Sequence, residues 1–227
     1  MTQPFHILGL TGPKGCGKDT VAALLRTHCG FHVVAFADAL RREICDAFRE
    51  EPILFQRRET KEHPISALSL RRCLDDAFVA RMLLQHMAIG IDLSLDAPRS
   101  PRQIMQWWGT EYRRNSDPNY WADRLEDHIR TMLLSGDATR IAVTDVRFNN
   151  EVDLLRLPTF GGHIWQVTRP GCAVPDGAHI SEVSGAHFGP DAVIDNSGDL
   201  RHLQEQVLGR FWAMDAGLAS VEVRIAA

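Results

Sequence analysis

The sequence has few cysteines, and their spacing matches no ligand or disulfide pattern. The five cysteines are odd in number and scattered, with no CxxC pair among Cys16, Cys29, Cys45, Cys73 and Cys172. Such a set indicates neither a disulfide framework nor a zinc site. It favours reduced thiols, which are typical of a cytoplasmic protein.

Long apolar runs are also missing. No segment approaches the roughly 18 apolar residues that a membrane span needs. The start of the sequence, MTQPFH, lacks the charged stretch followed by an apolar stretch that marks a signal peptide. We therefore expect a cytoplasmic location and no membrane partner.

Positive charge is not in excess. Lys and Arg number 25 against 29 Asp and Glu, which gives a net charge of −4 and a pI near 6.2. A nucleic-acid partner would require a basic field to hold its phosphates. The charge balance therefore predicts no nucleic-acid partner.

The composition is that of an ordinary globular protein. The 227 residues are 44% apolar and 24% charged, and their number lies between that of one and two typical domains. We expect a single domain over residues 1–227, with a helical insertion at about 49–135 and a lid-like segment at about 170–190. Within the insertion, residues 49–75 are rich in charge and contain Pro52 and Pro64, which suggests an exposed excursion.

Apolar runs and helical periodicities alternate along the chain. A parallel β-sheet flanked by helices on both faces, an α/β fold, is the architecture that this alternation favours. We expect Asp38 to cap one helix, Ser100-Pro101 to begin another, and Asp199 to begin the last. The strands are expected at 6–11, 31–36, 140–146, 163–168 and 192–194.

A glycine-rich segment between the first strand and the first helix carries the strongest motif. Gly12-Pro13-Lys14-Gly15-Cys16-Gly17-Lys18 fits G-x-x-x-x-G-K, and Asp19-Thr20 follows. Backbone amides of such a loop point at phosphate oxygens, and the lysine reaches the outer phosphates. Thr20 is the better candidate for the hydroxyl ligand of Mg²⁺, while Asp19 either holds Mg²⁺ through water or caps the helix. The alternative is a chance glycine-rich turn, which the strand and helix on either side make improbable.

A second group of polar residues follows a later apolar strand. In Val143-Thr144-Asp145-Val146-Arg147, Asp145 stands at the carboxyl end of the strand, where ligands of open α/β sheets bind. Such an aspartate orients Mg²⁺, or else it caps the following helix. Arg147 could clamp a phosphoryl group.

These segments together resemble one family. The phosphate loop with its GK-x-T ending is similar to that of nucleoside monophosphate kinases. The segments FADAL (36–40), SPRQ (100–103), WGTE (108–111), DVRFNNE (145–151), HISE (179–182) and NSG (196–198) resemble, in this order, the deoxynucleoside monophosphate kinases of bacteriophages and some bacteria. The resemblance covers residues 8–208.

The resemblance implies a P-loop kinase fold and a reaction. Members transfer the γ-phosphoryl group of ATP to a deoxynucleoside monophosphate (dNMP), with Mg²⁺, to give the diphosphate and ADP. It also implies a homodimer, an acceptor site on the helical insertion, and host cytoplasm as the location if a phage encodes the chain. We expect direct transfer without a phosphoenzyme. No feature of the sequence indicates a preference for one base or for the deoxyribose.

The resemblance also implies roles for individual residues. The ATP phosphates would lie on Gly12, Lys14, Gly15, Cys16, Gly17, Lys18, Asp19 and Thr20, and Mg²⁺ near Asp19, Thr20 and Asp145. The acceptor would lie near Asp38, Lys61, Arg102, Gln103, Thr110, Glu111 and Arg114, and Trp107 is a separate candidate for stacking on its base. Asp145 and Arg147 would lie between the two nucleotides, Arg169 would face ATP, and Asn196 and Gly198 would border the adenine. His179, Ser181 and Glu182 would form a closing segment.

Simpler roles exist for several of these residues. Arg114 could be a solvated helix end, Lys61 an exposed surface charge, and His179 a surface histidine. Cys16 has a spacer role by default, and Trp107 is expected to be freer for base stacking than Trp108. The alternative functions are another small-molecule P-loop kinase, such as a phosphomevalonate or dephospho-CoA kinase, a P-loop ATPase switch, and an inactive nucleotide-binding scaffold.

Overall fold

A parallel β-sheet forms the core of the fold. The computed structural model describes residues 5–57, 59–172 and 189–225, and side chains as far as residue 216. The strands in this part are β1 (His6–Thr11), β2 (His32–Val34), β3 (Arg140–Val143), β4 (His163–Thr168) and β5 (Ala192–Asp195). They pair in the order β2-β3-β1-β4-β5, and every pair is parallel.

Helices connect the strands and build a separate helical region. Their bounds are α1 (Lys18–Cys29), α2 (Phe36–Phe48), α3 (Ile53–Gln56), α4 (Asp76–Ala88), α5 (Pro101–Gln106), α6 (Tyr120–Ser135), α7 (Asn149–Leu155) and α8 (Leu200–Ile225). Among the described residues, no helix is both long enough and apolar enough to cross a membrane.

Both faces of the sheet are covered. Leu8 and Leu10 of β1 point to one face, where they join a buried cluster with residues of α1 and α8, among them Leu25 and Phe211. On the opposite face, Gly9 lies against side chains of α7 and β4. Helices on both faces of a parallel sheet confirm the α/β fold class.

The chain divides into two compact units. The sheet unit consists of Met1–Phe36 and Leu125–Ala227, and the helical unit is Ala37–Arg124. The residues expected to bind phosphates belong to the sheet unit, whereas the residues expected around the acceptor, apart from Arg147, belong to the helical unit.

Aromatic rings form the core of the helical unit. The ring of Phe78 lies 4.6 Å from Trp108 and 5.5 Å from Tyr112, measured between centroids. The Glu43 carboxylate accepts hydrogen bonds from Trp108 Nε1 at 2.9 Å and from the Tyr120 hydroxyl at 2.5 Å. A carboxylate bonded in this way fixes the orientation of the rings around it.

The second strand ends earlier than the sequence predicts. β2 covers only His32–Val34, and α2 already begins at Phe36, so Asp38 lies in the first turn of the helix and does not cap it. The backbone N–H of Phe36 donates instead to the Asp145 carboxylate at 2.8 Å. A side chain distant in the sequence therefore serves the start of α2, which a local pattern cannot reveal.

The prediction of an exposed excursion at 49–75 is wrong for three of its apolar residues, although Ile53 and Leu74 are exposed. Phe55 in α3, and Leu68 and Leu70 in two short 3₁₀ turns (Ser66–Leu68 and Leu70–Arg72), are 0–1% exposed. Their burial could not be predicted from the sequence, because short turns do not produce a helical period.

The predicted start of α5 at Ser100-Pro101 is confirmed, whereas the π-helix that follows α5 was not predicted. Ser100 is the N-cap of α5, its hydroxyl accepts from Gln103 N at 3.1 Å, and Pro101 occupies the first turn. From Trp107–Arg114 the backbone forms a π-helix. Such segments are rare and often occur at functional sites.

Replacing Gly9 with alanine is expected to lower the free energy of unfolding by about 1–3 kcal/mol. A Cβ there would lie 2.8 Å from Ile164 Cδ1 and Leu155 Cδ1 and 2.9 Å from Val146 Cγ2. Urea unfolding measures the loss. Gly209→Ala in α8 is the control, because a Cβ there meets nothing within 4 Å and alanine favours a helix. An unchanged midpoint for Gly9→Ala would contradict the packing described.

Candidate active site

The loop between β1 and α1 has the conformation that its glycines permit. Gly12 has a φ of 135°, and a Cβ there would lie 2.3 Å from the carbonyl oxygen of Val167. Gly17 has a φ of 109° and is the N-cap of α1. Only glycine adopts such angles at low cost. With glycine at the cap, no side-chain oxygen of that residue occupies the helix N-terminus, a position that attracts anions.

The ammonium group of Lys18 lies inside this loop. Its Nζ donates to the carbonyl oxygen of Gly12 at 2.5 Å and to that of Pro13 at 2.9 Å. The carbonyl groups of the loop therefore hold the lysine in the region where the motif predicts phosphates.

The pKa of Lys18 is lowered from its ordinary value. Burial is the largest cause and lowers it, and the Arg147 guanidinium lowers it further. Cys16, Asp19 and Asp145 act in the opposite direction. Two cations and two carboxylates therefore lie close enough to interact around the loop, and a bound anion would stabilise the charged lysine.

Cys16 packs beneath the loop. It is 0% exposed, and its Sγ lies 3.9 Å from Lys18 Nζ. Burial raises the pKa of this thiol, although Lys18 partly offsets that effect. A thiol kept protonated is unreactive, which agrees with the expected spacer role.

Three other residues expected near the phosphates and Mg²⁺ lie at the surface. Lys14, Asp19 and Thr20 are exposed, and Asp19 and Thr20 belong to the first turn of α1. They can therefore meet a ligand from solvent without a change in the core. Their contacts with ATP or Mg²⁺ stay predictions.

Asp145 follows β3 at the edge of the sheet where β1 ends. The next residue, Val146, donates its N–H to the Leu10 carbonyl at 3.1 Å. One carboxylate oxygen of Asp145 accepts from Phe36 N at 2.8 Å. Asp145 therefore has a structural contact in addition to its expected role, and that contact fixes the direction of its carboxylate.

A residue with no expected role, Glu151, holds the backbone of Arg147. Glu151 is 2% exposed, and its Oε2 accepts from Arg147 N at 2.7 Å and from Phe148 N at 3.1 Å. A glutamate three residues after the N-cap residue Phe148 is one half of a capping box and could have indicated this contact. Glu151 fixes the backbone from which the Arg147 side chain extends.

The ends of β4 and β5 supply the other residues expected near ATP. Arg169 directly follows β4 and is exposed. Asn196 follows β5, and its Nδ2 donates to the carbonyl oxygen of Cys16 at 2.8 Å. Gly198 faces His202, whose Cδ2 would lie 2.9 Å from a Cβ at residue 198. His179, Ser181, Glu182 and most of the segment 170–190 lie outside the described residues.

In the helical unit, the structure brings Lys61 and Arg102 together. Arg102 N donates to the Lys61 carbonyl at 2.9 Å, and Arg102 Nε lies 2.5 Å from a carboxylate oxygen of Glu62. Gln103 lies beside them in the first turn of α5. Two basic residues expected at the acceptor are thus neighbours, although 41 positions separate them in sequence.

The π-helix carries three more of the expected acceptor residues. It contains Thr110, Glu111 and Arg114. The Glu111 carbonyl accepts from Gln85 Nε2 at 3.3 Å, and Arg114 Nη1 donates to the Pro118 carbonyl at 3.4 Å. These contacts tie the segment to its neighbours within the helical unit.

Trp107 is less exposed than a stacking residue would be. It is 8% exposed, compared with 1% for Trp108. The His86 ring lies 5.0 Å away, and the Arg99 guanidinium lies 5.4 Å from the indole centroid. Little of the indole therefore remains for a base in this structure, and its role in binding stays a prediction.

Asp38 lines a cavity of about 520 Å³ in the helical unit. Arg41, Arg42 and Arg49 also line it, together with acidic residues of α2 and of the segment after it. Arg41 Nη1 donates to the Asp38 carboxylate at 2.7 Å. Asp38 was expected near the acceptor, whereas no role was expected for the arginines, of which Arg41 and Arg42 belong to α2 and Arg49 follows its end.

The residues at the loop fit a magnesium ion that phosphates help to hold. No cluster of three His, Cys, Asp or Glu side chains suited to a metal occurs among the described residues. Mg²⁺ bound to nucleotides needs only one or two protein oxygens, because phosphates and water complete its shell. Asp145, Thr20 and Asp19 offer such oxygens.

Replacing Glu151 with alanine is expected to lower the free energy of unfolding by about 1.5–3 kcal/mol, because two backbone N–H groups lose a charged acceptor. Glu151→Gln keeps one oxygen and should lose less. Urea unfolding measures both. Glu205→Ala, which removes an exposed partner of Arg201, should change stability by no more than about 0.5 kcal/mol. Equal losses for Glu151→Ala and Glu205→Ala would contradict this role of Glu151.

Similar proteins have been described. The sequence matches the family model for deoxynucleotide monophosphate kinase over residues 75–207. A protein of Acanthamoeba polyphaga mimivirus, named as a candidate deoxynucleotide monophosphate kinase, is 26% identical over 212 residues, which cover 89% of this chain and 94% of that protein.

Two solved kinase structures resemble the fold at low identity. Dephospho-CoA kinase from Campylobacter jejuni has 13% identity and a TM-score of 0.48 over 93% of this chain and 98% of that chain. A gluconokinase from Sinorhizobium meliloti 1021 has 11% identity and a TM-score of 0.44, over 96% of this chain and 98% of that chain. Similarity this distant has no bearing on the function.

The family match is decisive because it covers more than half of the 227 residues. It includes α4 to α7 and the strands β3 to β5, and so it takes in Asp145, Arg147 and Asn196. The chain therefore belongs to the deoxynucleotide monophosphate kinase family and is a phosphotransferase of nucleotide metabolism.

Proposed function

We propose that this enzyme transfers the γ-phosphoryl group of ATP to a dNMP, giving the diphosphate and ADP. The observation that carries the proposal is the position of Lys18. Its ammonium is bonded inside a glycine loop at a helix N-terminus, and it interacts with Arg147 and Asp145 from the end of β3. This arrangement suits a chain of phosphates.

Phosphoryl transfer needs placement and positive charge more than covalent chemistry. The charge of the moving group spreads over its oxygens, and fixed cations stabilise it best where water is excluded. Lys18, Arg147 and Arg169 are the cations we assign to this task. Asp145, Thr20 and Asp19 would hold Mg²⁺, which would supply further positive charge beside the phosphates.

The acceptor needs no dedicated general base. A phosphate monoester has a second pKa near 6, so the monophosphate is largely a dianion at neutral pH. Its oxygen is then already a nucleophile, and the chain has only to hold it in line with the γ-phosphorus. We therefore propose direct transfer and assign no residue as a base.

The helical unit supports an anionic acceptor. Arg102 and Lys61 are neighbours there, and Arg41 and Arg42 line the cavity beside Asp38. Guanidinium groups bind phosphates through paired hydrogen bonds, while Asp38 and Glu111 provide acceptors for the polar edges of a base or sugar. The family description supports a nucleoside monophosphate as the acceptor, whose phosphate would compete with Glu62 for Arg102 and with Asp38 for Arg41.

A panel of acceptors tests the reaction. With Mg-ATP, release of ADP is measured by a coupled assay for each deoxy- and ribonucleoside monophosphate, for phosphomevalonate and for dephospho-CoA. We expect at least one dNMP to raise ADP release about 100-fold or more above the rate without acceptor, because transfer in the site requires a bound acceptor. Activity with phosphomevalonate or dephospho-CoA alone would assign another small-molecule kinase. ADP release that no acceptor stimulates would indicate an ATPase.

Replacing Lys18 with alanine is expected to lower kcat/KM for ATP by about 100-fold or more, the usual cost of removing one transition-state contact. Arg26→Ala is the matched control, because Arg26 is an exposed cation on the same helix and should leave the rate unchanged. Circular dichroism verifies that both variants fold. Normal turnover by a folded Lys18→Ala variant would exclude the loop from catalysis.

A further inference from the structure

Asn196 contacts the phosphate loop through its side chain. Its Nδ2 donates to the Cys16 carbonyl at 2.8 Å, across 180 positions of sequence. The same nitrogen would lie 2.2 Å from a Cβ at residue 17. Asn196 therefore packs directly on Gly17, at the residue where the loop becomes α1.

The turn that carries Asn196 is rigid. Asn196 N donates to the Thr168 carbonyl at 2.8 Å, which continues the pairing of β4 and β5. The Asp195 carboxylate accepts from Ser197 N at 3.0 Å and from Ser197 Oγ at 2.8 Å. Gln206 of α8 bonds both the N–H and the carbonyl of Asp195, at 3.1 and 2.8 Å. The bond of Asn196 to Thr168 and the turn at Asp195 and Ser197 thus fix the asparagine before any ligand binds, and Gln206 adds a contact of α8 to Asp195 alone.

The contact determines how one peptide group of the loop is oriented. The peptide bond between Cys16 and Gly17 is planar and trans, so its carbonyl and its N–H point in opposite directions. Since Asn196 binds the Cys16 carbonyl, the Gly17 N–H points away from Asn196. A loop that binds phosphates through backbone amides requires such orientations to be set in advance.

We propose that Asn196 is a positioning residue of the phosphate loop, which holds the Cys16–Gly17 peptide so that the Gly17 N–H faces the ATP phosphates. Its amide nitrogen does not read the adenine. The inference rests on the proposed function, because it assumes that ATP phosphates bind at this loop. It differs from the role that the family resemblance implies for Asn196, which is a contact with the base.

A phosphate ligand without a base separates the two roles. Dissociation constants for ATP, GTP, CTP and inorganic tripolyphosphate are measured by competition with a fluorescent ATP analogue. Asn196→Ala should raise the dissociation constants of all four ligands roughly tenfold. This change corresponds to about 1.4 kcal/mol, near the value of one hydrogen bond. The ratio of ATP affinity to GTP affinity should stay unchanged. In steady-state assays, KM for ATP should rise while KM for the dNMP stays the same.

Two further variants exclude a general structural effect. Asn196→Asp keeps the shape but turns a carboxylate oxygen toward the Cys16 carbonyl, so it should bind tripolyphosphate at least as poorly as Asn196→Ala. Gln206→Met removes the bonds between α8 and Asp195 but leaves Asn196 in place. It should bind all four ligands within about twofold of the wild type. Melting temperatures of all variants verify folding, and the isosteric Asn196→Asp answers the question if Asn196→Ala does not fold.

Several results would overturn the inference. If Asn196→Ala weakens the binding of ATP but not that of tripolyphosphate, the side chain contacts the base. If Gln206→Met weakens tripolyphosphate binding as much as Asn196→Ala does, the turn as a whole, and not the Asn196 side chain, orients the loop. If Asn196→Ala and Asn196→Asp bind all four ligands as the wild type does, the inference is refuted but the proposed function is not. A wild-type chain that binds neither ATP nor tripolyphosphate would refute the proposed function together with the inference.

Discussion

Backbone hydrogen bonds between parallel strands determine where the polar groups of the candidate active site lie in the sheet unit. β1 pairs with β3 on one side and with β4 on the other, and β4 pairs with β5. Since parallel strands end at one edge, the loop after β1, Asp145 after β3 and Asn196 after β5 meet there. A slip of one residue in any pair would turn alternate side chains to the opposite face and separate these groups. The sheet register is therefore a requirement of the site as well as of the core.

Local sequence patterns were sufficient where neighbouring residues decide the structure. The strand, loop and helix over residues 6–29 could be predicted, because an apolar run, closely spaced glycines and a helical period follow one another there. The start of α5 could be predicted for the same reason, since Ser100 and Pro101 act within one helical turn. The last helix begins at Leu200, next to the expected Asp199, whose carboxylate accepts from His202 N at 2.8 Å.

Contacts between distant residues could not be predicted in this way. α2 begins early because Asp145, 109 positions away, accepts from its first N–H. The role of Glu151 needed the position of the Arg147 backbone, and the contact of Asn196 needed the fold of the whole sheet. In the helical unit, the burial of Phe55 could not be predicted, because the four residues of α3 are too few to show a helical period. The roles expected for the acceptor residues therefore depend on the family resemblance more than the roles expected for the loop residues do.

Two lines of argument for a kinase rest on different residues. The family match begins at residue 75 and so excludes the glycine loop at 12–17. The conformation of that loop, in turn, follows from glycine angles, the bonds of Lys18 and the packing of Gly12 on β4, with no reference to the family. A bound anion would stabilise the half-buried ammonium of Lys18 beside Arg147, in addition to the carboxylates of Asp19 and Asp145. The geometry of the loop and the family of the remaining chain therefore support a phosphotransferase independently.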